Sequence, residues 1–337
     1  MLLAVCLAGA LFTGCGSAQK HTASDYTYFD TVTTIIGYDT STRFDEACTI
    51  VWDVLNAYHR ASDIYHEYSG INNACTLNQN AGGGAMEIPE ELMELLAFGK
   101  TMESETGGMC NIAMGAVLSL WHDCRESAEN GGEAQLPEED ALLAAAEHCS
   151  IDDLVLDEAA GTAELRDAMM SIDLGSIAKG YAVEAAAKAL EDAGYTGYAI
   201  SAGGNVRTVG TKPSGDWVAG IQNPDTESAE SYVLRVSLSD ASLVTSGVYQ
   251  RYYTVDGVRY HHIISPETLA PKNEFLSVTI RCGNSGRADA LSTAVFNMEF
   301  EDGISYVNQL GDVEACWIFA DGTLHYSDGF ETYIIEG

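Results

Sequence analysis

Residues 171–190, which read SIDLGSIAKGYAVEAAAKAL, constrain the fold more than any other stretch of the chain. An apolar run leads into Gly175 and Ser176, and the alanine-rich segment that follows predicts a helix over residues 178–194. A strand, a glycine turn and a helix start form an anion-binding arrangement, because free helix N–H groups and the Lys179 ammonium both attract phosphate. Taken alone, however, such an arrangement is more often architectural than functional.

Neither standard nucleotide motif fits this turn. A Walker P-loop carries its lysine after the second glycine, followed by Ser or Thr, whereas Lys179 precedes Gly180. A Rossmann G-x-G-x-x-G turn is absent too, since Gly175 and Gly180 stand five residues apart. Any nucleotide site at this turn therefore belongs to another kind.

Hydrophobic periodicity predicts helices and strands along the whole chain. The other predicted helices cover residues 44–66, 89–104, 113–126, 137–148, 287–298 and 302–310. Predicted strands cover residues 26–38, 152–157, 162–166, 197–203, 232–238, 242–246, 276–282, 313–319 and 330–335. Residues 72–85 are predicted to form a polar glycine loop. The simplest interpretation is a single domain of mixed α+β class.

The first 25 residues predict export and a lipid anchor. Residues 2–12 form an apolar run that is too short to span a bilayer but suits a signal-peptide core. The run ends in FTGC, which resembles a bacterial lipobox with cleavage before Cys15 and lipid on its thiol. We expect a signal peptide at 1–14, the lipidated cysteine and a polar tether at 15–25, and the main domain at 26–337. The alternative is a short buried helix with a chance cysteine. Lipidation would place the protein on the cell membrane, at its extracytoplasmic face.

The charge and the cysteines exclude several classes of function. The chain carries 50 acidic and 16 basic residues, a formal net charge of −34. Such a chain repels nucleic acid, so we expect no nucleic-acid partner, and the acidic residues are most simply a solvated surface. The nine cysteines include no CxxC pair and stand at wide spacings. That pattern argues against a zinc site and against a compact disulfide framework.

Three further segments add chemistry to the glycine turn. In RADALSTAVFNM, Asp289 and Thr293 share one helical face, and a carboxylate with a hydroxyl is a hard-oxygen pair suited to Mg²⁺. The alternative is an aspartate that favours the helix dipole and a threonine bonded within its own helix. In YHHIISPETLAP, His261 and His262 are adjacent in a strand, so at most one can enter a given site. In SAGGNVRTVG, the glycine pair 203–204 allows close backbone approach.

In this order, these segments resemble the FAD:protein FMN transferases of the ApbE family. The resemblance covers nearly all of the predicted domain and is carried by YFDTVTTI, DIYHEYSGINNACTLNQNAG, CNIAMGAVLSLW, SIDLGSIAKGYAVE, SAGGNVRTVG, YHHIISPETLAP and ADALSTAVF. It implies a single mixed α/β domain of the T-fold-like type. It also implies an enzyme that binds FAD and Mg²⁺, transfers FMN to a Thr or Ser hydroxyl of an acceptor protein, and leaves AMP. Many members are bacterial lipoproteins, in agreement with Cys15, and the acceptor would be an extracytoplasmic redox-complex subunit.

The resemblance also implies a set of site residues. Asp289, the Thr293 hydroxyl and the Ser176 backbone carbonyl would bind Mg²⁺. The residues expected to contact FAD are Phe29, Tyr65, Asn111, Ile112, Ala113, Asp173, Lys179, Ile263 and Ser292. We add the hypothesis that His262 is the general base, since imidazole titrates near neutral pH, and we count Asp289 as catalytic with it.

Some residues depart from the family pattern. Asn111 and Ala113 stand where Asp-x-Thr is common, and Ser265 and Leu269 stand where Asp and Gly are usual. Ser176 replaces a common Gly or Ala, but a backbone carbonyl survives that change.

Two alternatives to protein flavinylation stay open. The first is an Mg²⁺-dependent FAD pyrophosphatase that releases FMN and AMP to water. The second is a flavin-binding lipoprotein without catalysis. The intact pair of Asp289 and Thr293 argues against the second, because storage of a flavin needs no metal.

Overall fold

A computed structural model describes residues 18–225, 227–249 and 251–335 of the chain. Its helices are α1 (Ser41–Ser62), α2 (Ala74–Gln79), α3 (Glu90–Glu105), α4 (Gly115–Glu129), α5 (Glu139–Ala146), α6 (Ala178–Asp192), α7 (Ser285–Asn297) and α8 (Phe300–Leu310). None of these helices combines the length and the apolar composition that a membrane crossing requires. The predicted signal peptide and Cys15 lie outside the described residues.

Most of the strands in the described part of the chain lie in its second half. The strands are β1 (Gln19–Asp25), β2 (Thr33–Asp39), β3 (Met86–Glu87), β4 (Leu154–Asp157), β5 (Thr162–Leu165), β6 (Tyr198–Ala202), β7 (Asn205–Val209), β8 (Trp217–Gln222), β9 (Tyr232–Leu238), β10 (Ser242–Gly247), β11 (Tyr252–Val255), β12 (Val258–His261), β13 (Phe275–Cys282), β14 (Glu314–Phe319) and β15 (Leu324–Tyr326). Two short 3₁₀ helices cover Ile151–Asp153 and Phe330–Tyr333.

An eight-stranded sheet in the order β1-β2-β6-β7-β10-β13-β14-β15 forms the centre of the fold. Every neighbouring pair in this sheet is antiparallel. An antiparallel sheet with its long helices gathered on one face is the α+β arrangement, so the predicted fold class is confirmed.

Alternating side chains give the sheet two apolar faces. Ile35 and Val244 point into the main core, where α1, α6 and α7 cover the sheet. Leu243, the neighbour of Val244 along β10, points to the other face. The β8–β9 hairpin covers that second face with Trp217 and Val236.

The main core places α6 and α7 side by side. α6 buries a stripe of small residues against its neighbours, among them Ala182, Ala186 and Ala187. Small side chains let helix axes approach closely. α7 begins at the cap residue Asn284, whose side chain accepts the Arg287 N–H. Two helices from distant parts of the sequence are thereby held at short range.

A smaller apolar cluster lies beside α4 and α5. The β11–β12 hairpin, a two-stranded sheet of its own, packs on α4 with the Tyr260 ring stacked on Trp121 at 5.9 Å. Asp256 and Gly257 turn the hairpin with φ values of 50° and 81°. Both values are positive, as a type I′ hairpin turn requires.

The structure corrects the predicted tether and the first strand. Gln19–Asp25 is not a tether but β1, paired antiparallel with β2. Its sequence QKHTASD is polar, as exposed edge strands often are, so it carries no apolar alternation to signal a strand. The predicted strand over 26–38 is confirmed only from Thr33 onward, because residues 26–32 form bends and turns.

Three further predictions of local structure are wrong. The glycine loop 72–85 contains α2, which the Asn73 side chain caps by accepting the Thr76 N–H. Residues 330–335 form a 3₁₀ turn and one isolated bridge instead of a strand. The apolar run before Gly175 is irregular, since the Asn78 side chain occupies the N–H and the carbonyl of Ile172 at 2.8 and 2.9 Å.

Candidate active site

Helices α6 and α7 bring Gly180 and Asp289 into contact. The Gly180 N–H donates to Asp289 Oδ2 over 2.7 Å, and Asp289 is only 5% exposed. A Cβ atom at residue 180 would lie 2.4 Å from Asp289 Cβ and 2.5 Å from the Ser285 carbonyl oxygen. Glycine is therefore required at this position for α6 to approach α7 closely enough to make the bond.

Lys179 holds the other oxygen of the same carboxylate. Its Nζ atom lies 3.5 Å from Asp289 Oδ1 and 3.2 Å from Asn205 Oδ1. A buried carboxylate needs such a partner, because an isolated charge in an apolar surrounding is costly. Lys179 is one of the predicted FAD contacts. Two of the three hydrogen-bond donors of its ammonium group are thus engaged with protein, and the third is left for a ligand. Asn205 is fully buried, and its Nδ2 has no partner in the described part of the chain.

The bond to Asp289 takes the Gly180 N–H away from its own helix. In a regular helix that N–H would donate to the carbonyl four residues earlier, which is that of Ser176. The Ser176 carbonyl consequently receives no hydrogen bond from any described residue. Its lone pairs are free, as a metal ligand at this position would require.

A cluster of hydroxyl groups completes this side of the site. Ser246 on β10 lies 2.7 Å from Ser292 and 3.5 Å from Thr293, oxygen to oxygen. Ser292 is fully buried and also donates to the Asp289 carbonyl at 2.8 Å. The side chain of Ser292 therefore supports the helix and has no exposed surface for the predicted FAD contact. Thr293 is partly exposed and makes only the long contact, so its hydroxyl is free to bind a ligand.

We call Ser176, Asp289 and Thr293 the oxygen-donor group. It offers one carboxylate, one hydroxyl and one carbonyl, all hard oxygen ligands of the type that Mg²⁺ prefers. Among residues 18–225, 227–249 and 251–335, no group of three His, Cys, Asp or Glu side chains could hold a metal ion. The donor atoms of the oxygen-donor group therefore fit Mg²⁺.

A second set of side chains, Tyr65, Asp173 and His262, forms what we call the cleft group. Burial raises the pKa of Asp173, while the hydrogen bond from the Gly175 N–H and the positive charges of Arg251 and Arg125 oppose that rise. The pKa of Tyr65 is raised by desolvation and by Asp173, and the same two arginines lower it. The arginines, Tyr65 and Asp173 thus share one electrostatic environment, although helix α4 and loops from distant parts of the chain supply these residues.

His262 stands in the field of the same arginines. Its Nδ1 lies 3.2 Å from the Arg251 carbonyl oxygen, which can only accept, so Nδ1 carries the proton and Nε2 is free to accept one. Desolvation, with the nearby Arg251 and His261, lowers the pKa of His262 to about 4, although the residue is exposed to solvent. His262 is therefore neutral at physiological pH, as a general base must be.

The His261 side chain points to the opposite side of the strand from that of His262, as strand alternation predicts. It is 2% exposed, and its Nε2 donates to the Lys272 carbonyl oxygen at 2.7 Å. Its ring packs edge-on against Phe296. Only His262 of the pair is available to a ligand.

One member of the cleft group is an exposed aromatic ring. Tyr65 is 58% exposed, and its ring centre lies 5.3 Å from that of His122 on α4. Arg125 Nη2 donates to His122 Nδ1 over 2.8 Å, which fixes the histidine as an acceptor at that nitrogen. The His122–Arg125 pair thus presents the Tyr65 ring to the cleft.

The predicted FAD contact Phe29 lies in a strained turn. Phe29 and Asp30 have φ values of 55° and 50°, which bulky residues rarely adopt. The Phe29 N–H donates to His59 Nδ1 over 3.3 Å. The Asp30 carboxylate also raises the pKa of Tyr65, after the larger effects of desolvation and Asp173.

Four of the predicted FAD contacts have little free surface. Ile112 and Ala113 are fully buried, and Ile263 is 5% exposed. Both ends of the Asn111 amide are engaged with protein, Nδ2 to the Cys149 carbonyl and Oδ1 to the Ala113 N–H. Residues 111–113 shape the site through their backbone, since the Ile112 carbonyl accepts the Asp173 N–H at 2.8 Å. Their contacts with FAD stay predictions, and the buried side chains of Ile112, Ala113 and Ile263 offer little surface for them.

A cavity of about 180 Å³ lies elsewhere, on the hairpin-covered face of the sheet. Thr245, Gln222 and Tyr249 are among its lining residues. Thr245 and Ser246 are neighbours along β10 and point to opposite faces. The sheet itself therefore separates this cavity from the oxygen-donor group.

Several residues of the site could not be found by motif reasoning. Asn205 directly follows the glycine pair 203–204, which did draw attention to that turn. Ser246, Arg125 and Arg251 carry no comparable signal, because each becomes part of the site only through tertiary packing.

Comparison with known proteins shows the same family in sequence and in structure. Residues 29–317 match the ApbE family. The FAD:protein FMN transferase of Treponema pallidum is 32% identical over 268 residues, which are 75% of this chain and 72% of that protein. One from Klebsiella pneumoniae is 28% identical over 72% of this chain and 73% of its own length. The crystal structure of the ApbE protein of Thermotoga maritima superposes with a TM-score of 0.82 at 27% identity, over 94% of this chain and 100% of that one.

Proposed function

Because the chain belongs to the ApbE family, we propose that it transfers FMN from FAD to a Thr or Ser hydroxyl of an extracytoplasmic acceptor protein, with Mg²⁺ as cofactor. Flavin transfer to protein follows from family membership and from relatives that are FAD:protein FMN transferases. The metal, the acceptor hydroxyl and the location are the proposed parts.

The oxygen-donor group is the observation that carries this proposal. Asp289, Thr293 and the Ser176 carbonyl would hold Mg²⁺, and Lys179 with Gly180 fixes the carboxylate in place. When bound, Mg²⁺ neutralises charge on the pyrophosphate and favours AMP as the leaving group. The free donors of Lys179 and Asn205 lie beside the carboxylate and suit a phosphate oxygen.

The chain's own contribution to the chemical step is His262. Its Nε2 would accept the proton of the acceptor hydroxyl while that oxygen forms a bond to the FMN phosphorus. The bond between that phosphorus and the bridging oxygen breaks, and the bridging oxygen leaves with AMP. The exposed ring also lets water take the place of the acceptor. FAD hydrolysis to FMN and AMP is therefore the second candidate activity.

One assay separates the candidate activities. The purified protein is incubated with FAD and Mg²⁺, with and without a redox-complex subunit domain that carries a candidate acceptor threonine. Covalent FMN on the acceptor supports the proposal, free FMN and AMP without labelling support hydrolysis, and unaltered bound FAD supports a binding protein. Removal of the metal with EDTA should abolish both transfer and hydrolysis. Addition of Mg²⁺ should restore both activities.

Asp289→Asn gives the sharpest test of the metal site. The amide preserves the shape and the acceptor for the Gly180 N–H but removes the charge, so we expect labelling to fall by about 10²- to 10³-fold. Asp53→Asn, an exposed aspartate on α1, is the matched control and should retain full activity. Equal activity of the two variants would exclude the proposed metal site.

Membrane attachment is a separate part of the proposal, supported by the sequence pattern that ends at Cys15. Mass spectrometry of the protein from a membrane fraction should find a lipid-modified Cys15 at the mature N-terminus. Cys15→Ser should release the protein from that fraction. Recovery of an unmodified cysteine at this position would contradict lipid anchoring.

A further inference from the structure

The turn that contains Phe29 packs against the glycine pair that leads to Asn205. Thr31 packs directly on the glycine pair 203–204, since a Cβ atom on Gly203 would meet Thr31 Oγ1 at 2.3 Å. The Gly203 N–H also donates to the Val32 carbonyl over 3.2 Å. The chain then continues from Gly203 to Asn205, the partner of Lys179. On its other side the turn contacts His59, near the end of α1, and Asp63 at that same end accepts the Tyr65 N–H.

The backbone of this turn is held in a conformation that its sequence disfavours. Phe29 and Asp30 are consecutive non-glycine residues with positive φ. Such strain persists only where the surroundings over-determine it, and it is often found at functional sites. The turn itself supplies one bond, from the Thr31 N–H to the Tyr28 carbonyl at 3.3 Å. Further contacts must come from another element.

His59, near the end of α1, supplies those contacts. Its Nδ1 accepts the Phe29 N–H over 3.3 Å. Its ring is enclosed edge-on by the rings of Phe29 at 5.4 Å, Tyr28 at 6.1 Å and Tyr68 at 6.5 Å. Because an accepting Nδ1 must be unprotonated, only neutral His59 can hold the turn in this way.

The same end of α1 also organises the loop that carries Tyr65. Asp63 Oδ1 accepts the Tyr65 N–H at 2.8 Å, and Asp63 Oδ2 accepts the Tyr68 hydroxyl at 2.9 Å. The Tyr68 ring in turn packs on His59. One helix end thus anchors both of the exposed or half-buried aromatic residues that are expected at the flavin.

We propose that His59 is a positioning residue for FAD, which holds the Phe29–Asp30 turn in its strained conformation so that Phe29 meets the flavin nucleotide beside Tyr65. His59 makes no contact with the reacting atoms and acts through Phe29. This inference rests on the proposed function, because it takes FAD as the ligand of the site.

The test compares His59→Ala with His59→Asn, whose side-chain oxygen lies close to the position of Nδ1. FAD binding is followed by quenching of flavin fluorescence in the absence of acceptor, so the readout does not depend on transfer. We expect His59→Ala to weaken FAD binding about tenfold, and His59→Asn to stay within about threefold of the native chain. In steady-state labelling the KM for FAD should rise in His59→Ala while kcat changes less than threefold.

A double-mutant cycle distinguishes positioning from a general structural role. If His59 acts through Phe29, the His59→Ala change should have no further effect on FAD binding in a Phe29→Ala background. Full additivity of the two effects would overturn the proposal, as would equal binding by the Ala and Asn variants. Thermal unfolding of each variant separates loss of positioning from loss of α1. Binding of FAD with no transfer to any acceptor would instead contradict the proposed function and leave the positioning role standing.

The pH dependence of FAD binding gives a third readout. Desolvation lowers the pKa of His59, with the Asp63 and Asp30 carboxylates opposing and His66 assisting that shift. The native chain should lose FAD affinity as the pH falls through the lowered pKa of His59, which lies below the ordinary histidine value of about 6.5. His59→Asn has no proton to gain at this position, so its affinity should vary less. An unchanged pH profile in His59→Asn would count against the role of the neutral imidazole.

Discussion

The oxygen-donor group and the cleft group meet at residues 173–176, yet they are built in opposite ways. Asp289 is buried on a packed helix, and both of its carboxylate oxygens are bonded to α6. Tyr65 and His262 are exposed and lie in the loops that follow α1 and β12. The first group is fixed by packing, which sets geometry firmly. The second is defined by charge and by loops, which leave room for a substrate to enter.

This difference predicts where each group is vulnerable. A change near Asp289 must disturb two core helices, so it should affect stability and activity together. A change near His262 or Tyr65 removes a functional atom from an open surface, so it should affect activity with little change in the free energy of unfolding.

Of the changes that test this contrast, Gly180→Ala should have the largest combined effect on stability and activity. The added methyl would overlap Asp289 and the Ser285 carbonyl, at 2.4 and 2.5 Å, so α6 and α7 must separate. We expect a loss of about 2–3 kcal/mol in the free energy of unfolding. Displacement of the carboxylate should lower labelling activity about 100-fold. Denaturant unfolding and acceptor labelling measure the two effects.

Gly303→Ala is the matched control, because Gly303 is also a buried helical glycine. A Cβ there would have Val295 at 3.4 Å as its nearest neighbour, an ordinary contact. Its helix should gain up to about 1 kcal/mol from the better helix former. If Gly180→Ala were as stable and active as Gly303→Ala, packing would not be what fixes Asp289.

His262→Ala should give the next largest effect, about a 100-fold loss in kcat without loss of stability. The pH dependence of activity should also report the titration of the His262 imidazole. Its pKa of about 4 lies below the ordinary 6.5, so the neutral base is present down to that value and activity falls as the pH drops through it. The acid limb of kcat/KM should therefore lie near pH 4.

His325→Ala serves as a control, since that histidine is exposed on β15 and distant in the sheet order from the site. Full activity of His262→Ala with FAD binding intact would exclude the general base. An acid limb near 6.5 would instead assign the titration to a histidine that is not enclosed as His262 is.

The sequence predicts some parts of the molecule better than others, because only some elements carry a local pattern. Periodicity locates long elements well, such as α6 and the strand over 232–238, because their apolar stripes are continuous. It misses β1, whose side chains are polar, and α2, whose sequence is rich in Asn and Gln. In both cases tertiary pairing or a cap decides the structure, and neither leaves a periodic signal.

For the site, the sequence identifies chemistry better than geometry. Asp289 and Thr293 are one helical turn apart, so local spacing alone places them together. Their relation to Gly180 and Lys179 spans more than a hundred residues and arises only when α6 packs on α7. Burial is not visible in the sequence either, since nothing local separates the partly exposed Thr293 from the buried Ser292. The sequence therefore cannot say which of the predicted FAD contacts have exposed side chains.

The smallest expected effect concerns the support of Tyr65 in the cleft group. His122 keeps the Tyr65 ring in place by an aromatic contact at 5.3 Å, and Arg125 holds His122 through a 2.8 Å hydrogen bond. Such an aromatic pair is worth about 0.5–1.5 kcal/mol, so His122→Ala should raise the KM for FAD about threefold at unchanged kcat. Tyr65→Ala removes the ring itself and should raise that KM more, whereas Tyr65→Phe keeps the ring and should resemble the native chain. A larger increase in the KM for FAD from His122→Ala than from Tyr65→Ala would mean that the histidine contacts the nucleotide directly. FAD binding in the cleft group would then depend less on the Tyr65 ring than we propose.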